Sequence, residues 1–287
     1  MEEGLGEFLP PQALKVVAEE YQQGLLDRLN EEVAGTGLRG KTVAQTVIDA
    51  AQDPSKILIY NYASEALNNS FFLSCLSPLP EGETSHEERI APDLAQAINT
   101  DFGNLEQLKS TFSAAVAGML CQGWVWLLVD QAGHLAVYPT FGNGTLLVRA
   151  SEFLPTKAGV ASPLVVGEEQ PAAETSRFGV PSFASSPTSG VSHSQGPHRP
   201  PTQARSLSTG SSYRGASVWV DKSEVARTGD RLFPLLCVSV HEHAWLSAGY
   251  GVWGKEEWIK KFWAVVNWEQ ASMHFTRYNM ARLTRRN

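Results

Sequence analysis

The residues best placed to do chemistry lie in FPLLCVSVHEHAWL, Phe233 to Leu246. An apolar run from Phe233 to Val238 leads into hydroxyl, imidazole and carboxylate groups, and the carboxyl end of a strand is where α/β-type folds commonly place chemistry. Ser239, His241 and His243 alternate, with Glu242 between the two imidazoles. Imidazole and carboxylate are good ligands for zinc, iron or manganese, so HEH reads as half of a metal site. Such a site needs further ligands from elsewhere in the chain.

The elements that would position them must come from a 287-residue chain with 43% hydrophobic residues, enough for a buried core in one or two domains. Its net charge of -7 argues against wrapping nucleic acid over the whole surface, leaving only a local basic patch for that purpose. Cys75, Cys121 and Cys237 all sit in apolar runs, which predicts buried reduced thiols rather than a disulfide scaffold. No apolar run reaches the ~18 residues needed to span a bilayer, so no membrane partner is expected. The opening MEEGLGEF is acidic, the reverse of a targeting presequence. Either there is none, or the chain begins after one was removed.

Pro10-Pro11 opens a helix expected over Gln12 to about Val33, with Leu14, Val17, Tyr21, Leu25 and Leu29 on its apolar face. Gly35, Gly37 and Gly40 break it, a short helix follows over about Thr42 to Gln52, and Asp53 and Ser55 precede a helix over about Lys56 to Leu76. Residues 1–82 therefore read as an N-terminal antiparallel helical hairpin. Helices over Ala91 to Asn99, stopping before Asp101, and over Leu105 to Met119 come next. WVWLLV, a turn at Asp130 to Gly133 and HLAVYPTF read as two paired strands. Helices first and strands later define an α+β class, with residues 83–154 and 217–276 as its second domain. Residues 155–216 are rich in Ser, Pro, Gly, Thr and Ala and are expected to form a disordered insert, followed by a short strand at Ser217 to Asp221. One amphipathic helix, Lys255 to Tyr278, then leads into a basic tail over 277–287. A P-loop, a dinucleotide fingerprint and a nucleophile triad are not found, and His134, His193 and His198 form no pattern.

Several segments together are similar to one family. DLAQAINTDFGNLEQLKSTFSAAVAGMLCQGWVWLLV resembles the central segment of iron/manganese superoxide dismutases. FPLLCVSVHEHAW resembles that family's "PLLGIDVWEHAYY", WAVVNWEQASMHF its "WNVINWENVTERY", and YASEALNNSFF its "GGHxNHSLFW" helix. The resemblance implies a two-helix hairpin followed by an α+β domain with a three-stranded antiparallel sheet. It also implies a metal held by three histidines and an aspartate. Those positions fall on Val17, Asn69, Ser239 and His243, so only the last keeps its ligand. The gateway tyrosine and histidine fall on Leu25 and Tyr21, the tryptophan after the aspartate on His241, and the outer-sphere glutamine at best on Asn143.

One imidazole cannot hold a redox metal that needs four protein ligands, so no cofactor is expected. The resemblance further implies that Glu242 and His243 pair crosswise with a partner chain across a dimer interface, although Leu246 stands where a tyrosine assists that bridge. Arg277, Arg282, Arg285 and Arg286 are candidates for contact with RNA phosphates or an acidic protein surface. Dismutase-like chains with a degraded metal site occur in the small subunit of the mitochondrial ribosome in fungi, where two paralogues pair. The expectation is therefore a non-enzymatic structural component of that mitochondrial particle, paired with a similar paralogue and touching other small-subunit proteins and peripheral rRNA. An active dismutase with a rearranged metal site and a dimeric interaction module outside the ribosome are the alternatives.

Overall fold

The computed structural model describes residues 3–130, 132–148 and 232–284. The expected insert at 155–216, the strand at Ser217 to Asp221, and Arg285 and Arg286 lie outside them.

The first helical rod has three parts: α1 (Pro11–Lys15), a π-helical stretch (Val16–Tyr21) and α2 (Gln22–Val33). Apolar periodicity predicts the rod but not the wide turn in its middle, since the pattern of buried residues survives one widened turn. Thr42 caps α3 (Val43–Ala50) by accepting a hydrogen bond from the Gln45 amide, and Asp53 accepts one from the Ser55 amide before α4 (Ile57–Ser74). Leu29, Val33, Val47, Ala50, Ile59 and Ala63 close a small core between α2, α3 and α4.

After α4 come α5 (Pro92–Phe102) and α6 (Leu105–Gly118). The first runs through Asp101, past its expected end, and stops at Gly103, whose φ of 87° suits glycine. Asp101 is thereby free to tie α5 to the sheet, accepting from the Leu135 amide at 2.7 Å. The sheet comprises β1 (Gly123–Val129), β2 (Leu135–Phe141) and β3 (Phe233–Ser239), all antiparallel in the order β2-β1-β3. β1 is buried along its whole length, as a central strand covered on both faces must be. Val125 pairs with Pro139 on one side and Val238 on the other, and a bulge falls between Leu127 and Leu128.

Beyond β3 lie α7 (Glu242–Ser247), α8 (Lys255–Val265) and α9 (Trp268–Thr284). The single helix expected here is broken at Val266, because the chain there leaves the helix to pair with the end of α4. The Ser77 amide donates to the Val265 carbonyl at 2.8 Å and the Asn267 amide to the Cys75 carbonyl at 2.7 Å. α9 then continues through Thr284, so residues 277–284 extend a helix rather than begin a loose tail. An aromatic core of Phe8, Phe72, Phe112, Trp124, Trp258, Phe262 and Trp268 joins the N-terminal rod to the sheet and the last helices. The tryptophans of β1 and the last two helices are buried in this core. Cys75 and Cys237 are buried, but Cys121 is exposed because it lies in the turn between α6 and β1. The architecture is α+β, with helices followed by a three-stranded antiparallel sheet.

Candidate functional site

Five elements converge between the N-terminal rod and the carboxyl end of β3. The π-helical stretch brings Val17 and Tyr21, α4 brings Glu65 and Asn69, β1 brings Trp124, the end of β3 brings Ser239, and α7 brings His241 at its N-cap and His243 in its first turn. Val17 is fully buried, while Glu65, Asn69, Ser239 and His241 are each no more than 3% exposed.

Glu65 is the centre of the arrangement. The Tyr21 hydroxyl donates to its Oε1 at 3.0 Å and the Trp124 indole N–H donates to its Oε2 at 3.3 Å. His241 Nε2 stands 3.3 Å from Oε1, and the other ring nitrogen of His241 stands 3.1 Å from Ser239 Oγ. With the imidazole proton on Nε2, every group has a matching partner: Ser239 donates to Nδ1, and Nε2, Tyr21 and Trp124 all donate to the carboxylate. Ser239 is held from its other side too, since the Trp258 indole donates to its carbonyl at 2.9 Å. The His243 ring lies 4.0 Å from that of Tyr21 and 5.6 Å from that of His241.

Burial dominates the electrostatics. It pushes the Glu65 carboxyl up to about 7, against the pull of the Tyr21 and Trp124 donors. It pushes His241 down to about 3, helped by His243, and His243 down to about 4. The His241–Glu65 contact is therefore a hydrogen bond from a neutral ring, not a pair of full charges. The Tyr21 phenol is held far above its usual range by burial and then by Glu65.

Asn69 serves a neighbouring set of bonds. Its Nδ2 donates to the Val17 carbonyl at 3.1 Å and to Gln22 Oε1 at 2.9 Å, and Gln22 Nε2 donates to the Ala66 carbonyl at 3.1 Å.

The resemblance-based site is thus brought together in space, but its chemistry differs from a metal centre. Val17 offers no lone pair, the Asn69 amide nitrogen points its protons at protein oxygens, and Ser239 is engaged with His241. Among the described residues no group of three or more His, Cys, Asp or Glu is placed to hold a metal ion. The residues present at the four ligand positions do not fit iron or manganese.

Two expectations are corrected by the geometry. Asn143, the position taken for the outer-sphere glutamine, lies in the turn after β2, half-exposed; the side chain that faces the cluster is Glu65. A hydroxyl, an imidazole and a carboxyl group do stand in the order of a nucleophile relay, which the sequence search did not find because Glu65 is distant in the chain. Ser239 is 1% exposed, so its hydroxyl touches protein on all sides. Glu65 carried one sequence signal: it is the one charged residue in α4, set between the small residues Ser64 and Ala66.

His243 stands at the half-buried rim of this cluster, against Tyr21, and the remaining predicted residues lie outside it. Glu242 is exposed in the first turn of α7, and Leu25 is buried. Glu242 lines a cleft of about 580 Å³ together with Leu120, Trp245, Trp253 and Lys255. Arg277 is exposed on α9. Arg282 reaches the β1–β2 turn, where its guanidinium lies against Gly133, and its charge acts on Tyr278 and His134.

Comparison with known proteins extends this picture. The family model described as "Iron/manganese superoxide dismutases, C-terminal domain" matches residues 90–156 and 213–274. The "Superoxide dismutase [Fe]" of Nostoc sp. is 35% identical over 120 residues, 42% of this chain and 56% of the relative. That of Leptolyngbya boryana is 31% identical over 153 residues, 52% of this chain and 73% of the relative. The "Small ribosomal subunit protein mS43" of Schizosaccharomyces pombe is 26% identical over 137 residues, 47% of this chain and 51% of the relative. The chain thus spans little more than half the length of the Nostoc relative.

These matches correct the expectation that the chain is not an enzyme, since relatives named as iron superoxide dismutases share its sequence more closely than the ribosomal protein does. Erased ligand positions had suggested the opposite, but they describe three residues, whereas the matches extend over 120 residues or more. Over that length, and with the helical rod and the three-stranded sheet in place, the chain belongs to the iron/manganese superoxide dismutase family.

Proposed function

We propose that this chain is a structural component of the small subunit of the mitochondrial ribosome, built on a superoxide dismutase fold and paired with a similar chain. The observation that carries the reading is that Val17, Asn69 and Ser239, at three ligand positions of the family, are bonded to protein groups and present no donor set to a metal. A relative that bears the name of a small ribosomal subunit protein, mS43, shares the sequence over 137 residues and lends the partner class. The pairing surface is the face around Glu242 and His243, where an exposed carboxylate and a half-buried imidazole stand side by side at the start of α7. Arg277, with Arg282, Arg285 and Arg286 beyond it, supplies positive charge for a neighbouring ribosomal protein or peripheral rRNA.

The test is sedimentation of the tagged full chain from mitochondrial lysate. Co-migration with the small subunit is the expected result, and Glu242→Ala should reduce both that fraction and recovery of a paired chain by about tenfold, since truncating one partner of a charged interface pair costs affinity. Migration of the wild type wholly apart from ribosomal particles would overturn the reading. A dismutase with a rearranged metal site is the second reading, favoured by the iron enzymes among the relatives and by the Glu65–His241 carboxylate–imidazole contact. About one iron or manganese per purified chain, lost on replacing Glu65 or His241, would establish it instead.

A further inference from the structure

We infer that the hydrogen-bonded cluster centred on Glu65 takes the mechanical place of the family's metal, tying the N-terminal rod, α4, β1 and the end of β3 together through side chains alone. A bound ion joins elements distant in sequence because each donates a ligand to a common centre. Here the common centre is the Glu65 carboxyl group, and Tyr21, Trp124 and His241 reach it from three other elements. They are separated from Glu65 by 44, 59 and 176 positions in the chain.

The three positions without a family ligand take part in the same closure. Ser239 holds His241 in the tautomer that can donate to Glu65. Asn69 clamps the Val17 carbonyl and Gln22, and so fixes the wide turn from which Tyr21 projects. Widened turns of this kind leave backbone groups in need of partners, and Asn69 supplies one. Val17, the remaining position, is buried and fills space with methyl groups. None of the three offers a metal a ligand, and the side chains of Ser239 and Asn69 are engaged in hydrogen bonds within the protein.

The closing experiment is thermal unfolding of the full chain in three forms, after chelator dialysis, with manganese(II), and with iron(II) under anaerobic conditions. A saturating ion bound only by the folded state would raise Tm by ~5–10 °C in a chain of this size. The expected result is the same Tm in all three forms. Tyr21→Phe should lower Tm by ~2–5 °C and Glu65→Ala by more, because the latter leaves several buried donors unmatched. If Glu65→Ala does not fold, Glu65→Gln and nitrogen NMR of labelled His241 decide the matter. In the wild type the ring should be neutral near neutral pH, with its proton on Nε2, and Glu65→Gln should shift that resonance. A Tm that rises with either metal would overturn the inference. So would Tyr21→Phe and Glu65→Gln variants that melt like the wild type with an unchanged His241 signal.

Discussion

Two regions a few residues apart in the chain treat polar groups in opposite ways. From Ser239 to His241 the chain is buried, and its hydroxyl and imidazole are matched to Glu65, Tyr21 and Trp124 in a closed set. From Glu242 to Leu246 it reaches the surface, where Leu246 is exposed and the Glu242 carboxylate shares a cleft with the exposed Leu120, Val252 and Trp253. Leu120 is fully exposed and Trp253 is 93% exposed, an unusual state for side chains of that size. The interior has turned a family site into internal bonding, whereas the adjacent surface holds apolar and acidic groups that the described residues leave exposed. The contrast separates what keeps the fold together from what the proposed pairing would use.

The largest effect expected inside is that of His241→Ala. It removes the ring that links Ser239 to Glu65 and leaves a cavity against Trp124, so folding stability should fall by about 3–5 kcal/mol in urea unfolding. Chain pairing per folded molecule should not change. A loss below about 1 kcal/mol would mean that the interior cluster is slack and the contrast is false.

Outside, Leu120→Asp with Trp253→Asp should do the reverse. Pairing should weaken by ~100-fold in analytical ultracentrifugation, because large exposed aromatic and aliphatic groups carry most interface energy. Unfolding of the single chain should move by no more than about 0.5 kcal/mol per site, as for ordinary surface changes. An unchanged association constant would move the pairing surface elsewhere.

The pH profile sharpens the interior half of the comparison. His241 and His243, ordinarily near 6.5, are held down to about 3 and about 4, so each takes up a proton on unfolding between roughly pH 4.5 and 6.5. Glu65, ordinarily near 4.5 and held up to about 7, releases one over the same range. Net uptake is one proton, so stability should rise with pH through that window by at most about 1.4 kcal/mol per unit. From pH 6.5 to 7 Glu65 acts alone and the rise should reverse. Glu65→Gln removes the opposing group, so the slope between pH 4.5 and 6.5 should about double and the reversal disappear. Chemical unfolding at a series of pH values would show an unchanged slope if Glu65 does not titrate as described.

The smallest effect belongs to Arg282→Ala. Its guanidinium lies over the Gly133 turn and acts on Tyr278, so the truncation should cost about 0.5 kcal/mol, near the surface-pair median. A greater loss of sedimentation with the small subunit than of stability would assign this arginine to attachment.

The order of helices and strands and the pairing of WVWLLV with HLAVYPTF were legible in periodicity and turn residues, because these are local signals. The family was legible in the motifs around Asp101, Trp124 and His243, and with it the identity of the four ligand positions. Other features depended on contacts between distant residues. The last helix breaks at Val266 because the chain there bonds to Cys75 and Ser77, nearly two hundred residues earlier. Cys121 is exposed because a turn, not the apolar run around it, sets its direction. The chief omission was Glu65. Its place at the centre is decided by Tyr21, Trp124 and His241, which share no spacing with it, and a buried carboxyl group is tolerable only where such donors converge. The sequence by itself determined which ligands were absent; only the tertiary structure decided what stands in their place, since hydrogen-bond partners are matched in space and not along the chain.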